Sequence, residues 1–221
     1  MKQTIFITGT DTGVGKTLLT VLLVRFLREK GVSVAALKPT CSGGRDDARQ
    51  LYEAQGRALS LDEINPWHFR KAVAPAVAAR LEKRAVRLGS VLAHVRMVQR
   101  KYDVVLVEGA GGLLSPLGER FDSRDLLVAL RASPVVVAPN RLGVVNHILL
   151  TLEALPKRLR QEAKVVLVAP AKPDPAAASN VDLLRRLLVP NVWQLPWHGE
   201  DRAAAALGPR LAWQLADRVG R

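Results

Sequence analysis

An apolar run, Thr4-Ile5-Phe6-Ile7-Thr8, leads into Gly9-Thr10-Asp11-Thr12-Gly13-Val14-Gly15-Lys16-Thr17, and an amphipathic run from Leu18 to Lys30 follows. A strand, a glycine-rich turn closing on Gly-Lys-Thr, and then a helix leave little architectural choice, because this is the context in which a phosphate-binding loop forms. Glycines let the backbone curl until its N–H groups face phosphate oxygens. The helix start adds partial positive charge. Gly13, Val14, Gly15, Lys16, Thr17 and Leu18 are therefore candidate phosphate contacts. Lys16 would reach the terminal phosphates, and the Thr17 hydroxyl would ligate Mg²⁺.

Five residues separate Gly9 from Gly15, one more than in the common form of the loop. That spacing points away from Ras-like GTPases. It resembles the branch of P-loop proteins that contains ParA and MinD ATPases, nitrogenase iron protein and several small ligases. The rest of the chain agrees. Apolar segments at 3–8, 33–37, 103–107, 134–138, 164–168 and 191–195 read as strands. Segments 16–29, 46–55, 75–83, 88–100, 143–160, 179–188 and 201–218 read as helices. Continuous apolar runs such as Val104-Val105-Leu106-Val107 fit strands buried on both faces. The expected fold is α/β, a parallel sheet flanked by helices on both faces. A proline-rich stretch at 169–175 reads as a loop, so residues 1–221 are expected to form one domain.

Charge is the unusual element of the composition, with a formal net value of +13. Aromatic residues make up only 5% of the chain and do not interleave with the basic ones, which argues against a stacking platform for nucleic acid. The basic residues spread along helices, as in Arg80, Lys83, Arg84 and Arg87, and read as a solvated surface. No apolar run approaches a bilayer span. A lone cysteine, Cys41, leaves no internal disulfide framework. With no charged-then-apolar leader ahead of the first strand, a cytoplasmic location is expected.

Ligands in open α/β sheets bind at the carboxyl ends of the strands. Each polar cluster of this chain falls at such an end. Lys38-Pro39-Thr40-Cys41-Ser42-Gly43-Gly44 follows the second strand, with Asp46 and Asp47 just beyond. Glu108-Gly109-Ala110-Gly111-Gly112 follows the third, Asn140 to His147 the fourth, and Pro196-Trp197 the last. Glu108 stands where a carboxylate would ligate Mg²⁺ beside Thr17. Gly109, Ala110 and Gly111 leave room for a phosphate or substrate near the backbone. Asp46 and Asp47 fit a helix start as well as a metal role. Lys38 could face the phosphates or sit on the surface.

At these residues the chain resembles the dethiobiotin synthetase family. The carrying motifs are Gly9 to Thr17, Lys38-Pro39 with Ser42-Gly43, Asn65-Pro66, Val107 to Gly112, Leu142-Gly143 with Asn146-His147, and Pro196-Trp197. The resemblance implies an ATP- and Mg²⁺-dependent ligase that acts on 7,8-diaminononanoate and CO₂. It implies Thr17, Asp47 and Glu108 around the metal and Lys38, with Lys16, as catalytic lysines. Thr12 and Ser42 would lie beside the diamine or its carbamate. It further implies a homodimer in which Leu142, Gly143, Val144, Val145 and Asn146 help bind the partner's substrate. Those residues could equally just begin a buried helix. Pro170, Pro196, Trp197 and His198 fall on the side of the nucleotide base.

Two departures from the family pattern stand out. Pro170-Ala171 replaces an Asn that the family carries for adenine, and Val73-Ala74-Pro75-Ala76 lacks a His. A ParA/MinD-like switch ATPase is the competing reading. Its signature lysine would stand five residues before Lys16, where this chain has Asp11. A ligase domain of the cobyric acid type would need a second domain with a catalytic Cys, and Cys41 lies in the wrong place for that.

Overall fold

A computed structural model describes residues 2–187, 189, 191–196 and 209–216. Its centre is a sheet of six parallel strands: β1 (Gln3–Gly9), β2 (Val34–Leu37), β5 (Val104–Glu108), β8 (Ser133–Pro139), β9 (Lys164–Val168) and β10 (Val192–Leu195). Their spatial order is β10-β9-β8-β1-β5-β2. In register, Ile7 pairs with Glu108 on one side of β1 and with Val135 on the other. Each expected strand is present with its ends within one residue. Ile5, Phe6, Ile7, Leu106 and Val135 are fully buried, as continuous apolar runs in a doubly covered sheet must be.

Helix α1 (Lys16–Glu29) follows the loop, and its buried side includes Leu19, Leu22, Leu23 and Leu27. Gly15 caps it in the left-handed region at φ 97°. A Cβ on Gly15 would also meet Val168 Cγ2 at 2.9 Å. Only glycine satisfies both demands, and the loop is thereby seated against the end of β9.

Three expectations are corrected. The helix expected over 143–160 is two, α7 (Val144–Glu153) and α8 (Lys157–Glu162). Pro156 stands at the break, because proline lacks the N–H and its ring clashes with the preceding turn. A helix not expected, α6 (Ser123–Leu130), starts from a reciprocal cap in which Asp125 N donates to Asp122 Oδ1 at 2.9 Å and Asp122 N to Asp125 Oδ2 at 3.0 Å. Four short strands outside the main sheet were not expected: β3 (Thr40–Ser42) pairs in parallel with β4 (Trp67–Phe69), and β6 (Pro116–Gly118) pairs antiparallel with β7 (Phe121–Asp122). Of the helix expected at 201–218, Pro209–Leu215 is helical and the rest lies outside the described residues. Among the described residues no helix is long and apolar enough to cross a membrane.

Candidate active site

Three neighbouring strands, β1, β5 and β2, deliver their carboxyl ends to one place. From β1 the chain enters the glycine-rich loop, and Lys16 opens α1. From β2 comes Lys38, only 4% exposed, so it is no surface lysine. From β5 comes Glu108, 1% exposed. Lys38 Nζ lies 2.6 Å from Glu108 Oε1 and 2.7 Å from Asp47 Oδ2. Thr17 donates to Glu108 Oε1 at 2.7 Å, and Thr20 donates to Glu108 Oε2 at 2.9 Å. Asp47 lies in the first turn of α2 (Asp46–Ala54), but the cap position is Arg45 and no side chain caps the helix. Asp47 is thus a first-turn acid that pairs with Lys38 and caps no backbone N–H, while Asp46 pairs with Arg49 at 2.7 Å.

The buried charges are mutually compensated, as burial requires. Burial works against the Lys38 charge, but Glu108 and then Asp47 outweigh it and hold Lys38 above the ordinary lysine range. Burial also opposes the Asp47 charge, yet the Lys38 ammonium, by its charge and its hydrogen bond, leaves that carboxyl below the usual carboxylate range. Lys16 is different. Burial, and next the Lys38 charge, lower it to about 8 although Glu108 opposes them. Its Nζ donates to Asp11 O at 2.7 Å, a neutral acceptor. An ammonium so placed gains most from an added anion.

Above these groups opens a cleft of about 750 Å³. It is lined by Thr12, Gly13, Gly15, Lys16, Thr17 and Leu18 of the loop and α1 and by Lys38, Ser42 and Asp47. Ala110, Gly111 and Ser115 and the largely apolar stretch from Ala72 to Pro75 also line it. Ser42 donates its hydroxyl hydrogen to Val73 O, so toward the cleft it presents acceptor lone pairs. Gly111 takes φ +67°, and a Cβ there would strike Ser115 Oγ at 2.3 Å.

A family model described as an AAA domain matches residues 3–200. A curated ATP-dependent dethiobiotin synthetase from Anaeromyxobacter dehalogenans is 42% identical over 218 residues, covering 96% of this chain and 98% of the relative. One from Thermodesulfovibrio yellowstonii is 36% identical over 215 residues, covering 89% and 90%. This chain belongs to the dethiobiotin synthetase family. A synthetase of the same name from Akkermansia muciniphila is 42% identical over 152 residues, 69% of this chain and 71% of the relative.

Solved structures extend the fold beyond the synthetases. A ParA family ATPase from Chlorobium tepidum superposes with a TM-score of 0.59 at 13% identity, over 99% of this chain and 94% of that one. A chain of a MinC:MinD cell division protein complex from Aquifex aeolicus gives 0.61 at 16%, over 97% and 93%. These likenesses concern the fold.

Not every candidate of a dethiobiotin synthetase site meets in the cleft. Val14 and Gly109 are packed behind its wall, and a Cβ on Gly109 would meet Phe6 Cε1 at 3.2 Å. Leu142, Gly143, Val144, Val145 and Asn146 lie at the start of α7, away from it. There the Leu142 N–H donates to Asp174 Oδ2 at 2.7 Å and the Val144 N–H to Arg141 O at 3.2 Å. Pro170 and Pro196 follow β9 and β10, side by side because Ala169 N donates to Leu195 O at 2.9 Å. Trp197 and His198 lie outside the described residues. Thr20 is a site residue that the sequence reading missed, although its place one turn beyond Thr17 on α1 was a signal. Ser115, whose Oγ accepts from Gly112 N at 2.8 Å, gave none.

Proposed function

We propose that this chain is a single-domain synthetase that uses ATP and Mg²⁺ to carboxylate 7,8-diaminononanoate with CO₂ and close the product to dethiobiotin, releasing ADP and phosphate. One amine takes up CO₂ and loses a proton to give a carbamate. A carbamate oxygen attacks the γ-phosphorus of ATP, and the bond to ADP breaks. The second amine then attacks the carbamoyl carbon of this carbamic-phosphoric anhydride, phosphate leaves, and a cyclic urea remains.

The observation that carries this reading is the position of Lys38, buried between Glu108 and Asp47 in the cleft that the phosphate loop also lines. The chemistry brings an anionic carbamate to an anionic triphosphate, and fixed cations must offset that repulsion. Lys16 would bind the terminal phosphates and Lys38 would hold the carbamate against them. Ser42 and Thr12 would orient the amine groups. Thr17, Asp47 and Glu108 would hold Mg²⁺. Their three oxygens are the hard donors that this ion prefers, and a cation, the Lys38 ammonium, already sits among them. Among the described residues no group of three His, Cys, Asp or Glu side chains forms a metal cage, which suits an ion shared with substrate phosphates. When bound, Mg²⁺ supplies charge neutralisation at the phosphates.

The reading includes a cytoplasmic homodimer that binds neither nucleic acid nor membrane. Leu142, 74% exposed, and Leu150, 62% exposed, leave an apolar surface on the α7 side that a second copy would cover. Residues 142–146 would then serve the partner's substrate. A monomer by light scattering that is still fully active would refute this part.

Purified protein incubated with the diamine, bicarbonate, Mg²⁺ and ATP tests the whole. A mass-spectrometric signal for dethiobiotin, with phosphate release dependent on the diamine, is the expected result. Phosphate release independent of the diamine would favour the switch-ATPase reading that the ParA and MinD folds suggest.

A further inference from the structure

Asn65 has no task in the chemistry above, yet it is fully buried directly beneath the site. Its amide is used at both ends. Nδ2 donates to Lys38 O at 2.6 Å. Oδ1 accepts from Arg45 Nε at 3.2 Å and lies 3.1 Å from Cys41 Sγ, whose single hydrogen it shares with Gly44 O at 3.1 Å. These partners also orient the amide, because a carbonyl needs the NH₂ end and a guanidinium needs the oxygen. Arg45 Nη2 in turn donates to Asn65 O at 3.1 Å and to Leu61 O at 2.7 Å.

One side chain thus ties residues 38, 41 and 45, which span the loop between Lys38 and Asp47. The pairing of β3 with β4 holds the middle of that loop and leaves the stretch that runs on into α2 to other ties. Gly43 and Gly44 both take positive φ, at 80° and 126°, so backbone stiffness alone does not set its path. Arg45 is the residue from which α2 springs, two positions before Asp47. The Lys38–Asp47 ion pair at 2.7 Å closes the same loop on its cleft side.

We propose that Asn65 is a positioning residue that sets the separation of Lys38 and Asp47 by fastening both ends of the loop between them. The inference rests on the catalytic role of Lys38 given above. Asn65 itself is too deeply buried to touch a substrate. It acts through the backbone of Lys38 and through Arg45.

The test is Asn65→Asp, which keeps the size and the acceptor for Cys41 and Arg45 but sets a carboxylate oxygen against Lys38 O. Misplacement of a reacting group by an ångström costs on the order of a hundredfold, so kcat for dethiobiotin formation should fall about ten- to hundredfold. The dissociation constant of ATP, measured without diamine, should stay within about threefold, because the phosphate loop is independently built. In the Lys38→Ala background the same change should cost less than about threefold, since residues acting through one group are not additive. An unchanged kcat in Asn65→Asp overturns the inference. So does a loss that multiplies fully in the double variant, or ATP binding weakened as much as kcat, since either marks a merely structural role. If that variant does not fold, Arg45→Met replaces it, with the same pattern expected at about three- to tenfold and an unchanged kcat again decisive against the proposal. Absence of dethiobiotin with the unsubstituted chain would defeat the functional reading instead, whatever Asn65 does.

Discussion

At one end of the sheet edge, where β1, β5 and β2 finish, the chain gathers Lys38, Asp47 and Glu108 in direct contact and sets Lys16 where their charges act on it. At the other end, where β9 and β10 finish, it offers Pro170 and Pro196. The first end is dense in charge and pre-arranged by buried hydrogen bonds. The second carries a residue type with no N–H and no polar side chain. A phosphate chain is recognised by charge and by backbone donors, which the first end supplies without regard to the base. A base is told apart by hydrogen bonds to its edge, for which two prolines offer backbone carbonyls but no N–H and no polar side chain. If the nucleotide lies as the family resemblance implies, with its base at the second end, the contrast separates how tightly a triphosphate is held from how selectively its base is read. Gly15, pressed against Val168, joins the two ends.

The strongest test of the charged end is removal of its cations. Lys16→Ala and Lys38→Ala are each expected to lower kcat at least about a hundredfold, the scale of losing one preorganised electrostatic group, with the circular dichroism spectrum retained. Near-normal turnover in Lys38→Ala would break the contrast at its stronger side. Next comes the joint between the ends. Gly15→Ala combines an unfavourable φ of 97° with a Cβ contact of 2.9 Å to Val168. A strained backbone of this kind costs roughly 1–3 kcal/mol, to be read by chemical denaturation together with weakened ATP binding.

Smaller effects sharpen the picture. Glu108→Gln and Asp47→Asn should raise the Mg²⁺ concentration for half-maximal activity by about tenfold, because a neutral amide is a poorer ligand for a hard cation. Superimposable Mg²⁺ titrations for Asp47→Asn and the parent would leave Asp47 only as a counter-ion of Lys38. The smallest effect belongs to the proline end. ATP should be preferred over GTP or CTP by less than about tenfold in kcat/KM, since an apolar slot discriminates weakly between planar rings. A hundredfold preference at equal free Mg²⁺ would mean that backbone groups near β9 and β10 read adenine after all.

Most of the charged end was legible in the residues themselves. The spacing of Gly9, Gly15 and Lys16 specifies a loop through local backbone freedom, and a glutamate closing the run Val104 to Val107 marks the end of a buried strand. Central strands were legible for the same reason, since burial on both faces demands an unbroken apolar run. The break at Pro156 was also available in principle, because proline carries its consequence locally. The short strands Thr40–Ser42 and Trp67–Phe69 were not. Three residues are too few to display a periodicity, and their pairing is made by distant chain. Asn65 was visible as part of a family motif but its partners at 38, 41 and 45 were not, since hydrogen bonds across 20 to 27 residues leave no trace in local composition.

By itself the sequence determined the fold class, the phosphate loop and the family, because each depends on residue types at short spacings: glycines where the backbone must curl, apolar runs where strands are buried, a lysine and a threonine at a helix start. Only the tertiary structure decided what the isolated acids and bases do. It made Lys38 a buried cation instead of a surface one, gave Asp47, in the first turn of α2, to Lys38 as a partner, and brought Glu108 to the same ammonium, because ion pairing depends on distances between strand ends that the chain reaches only after the sheet has closed.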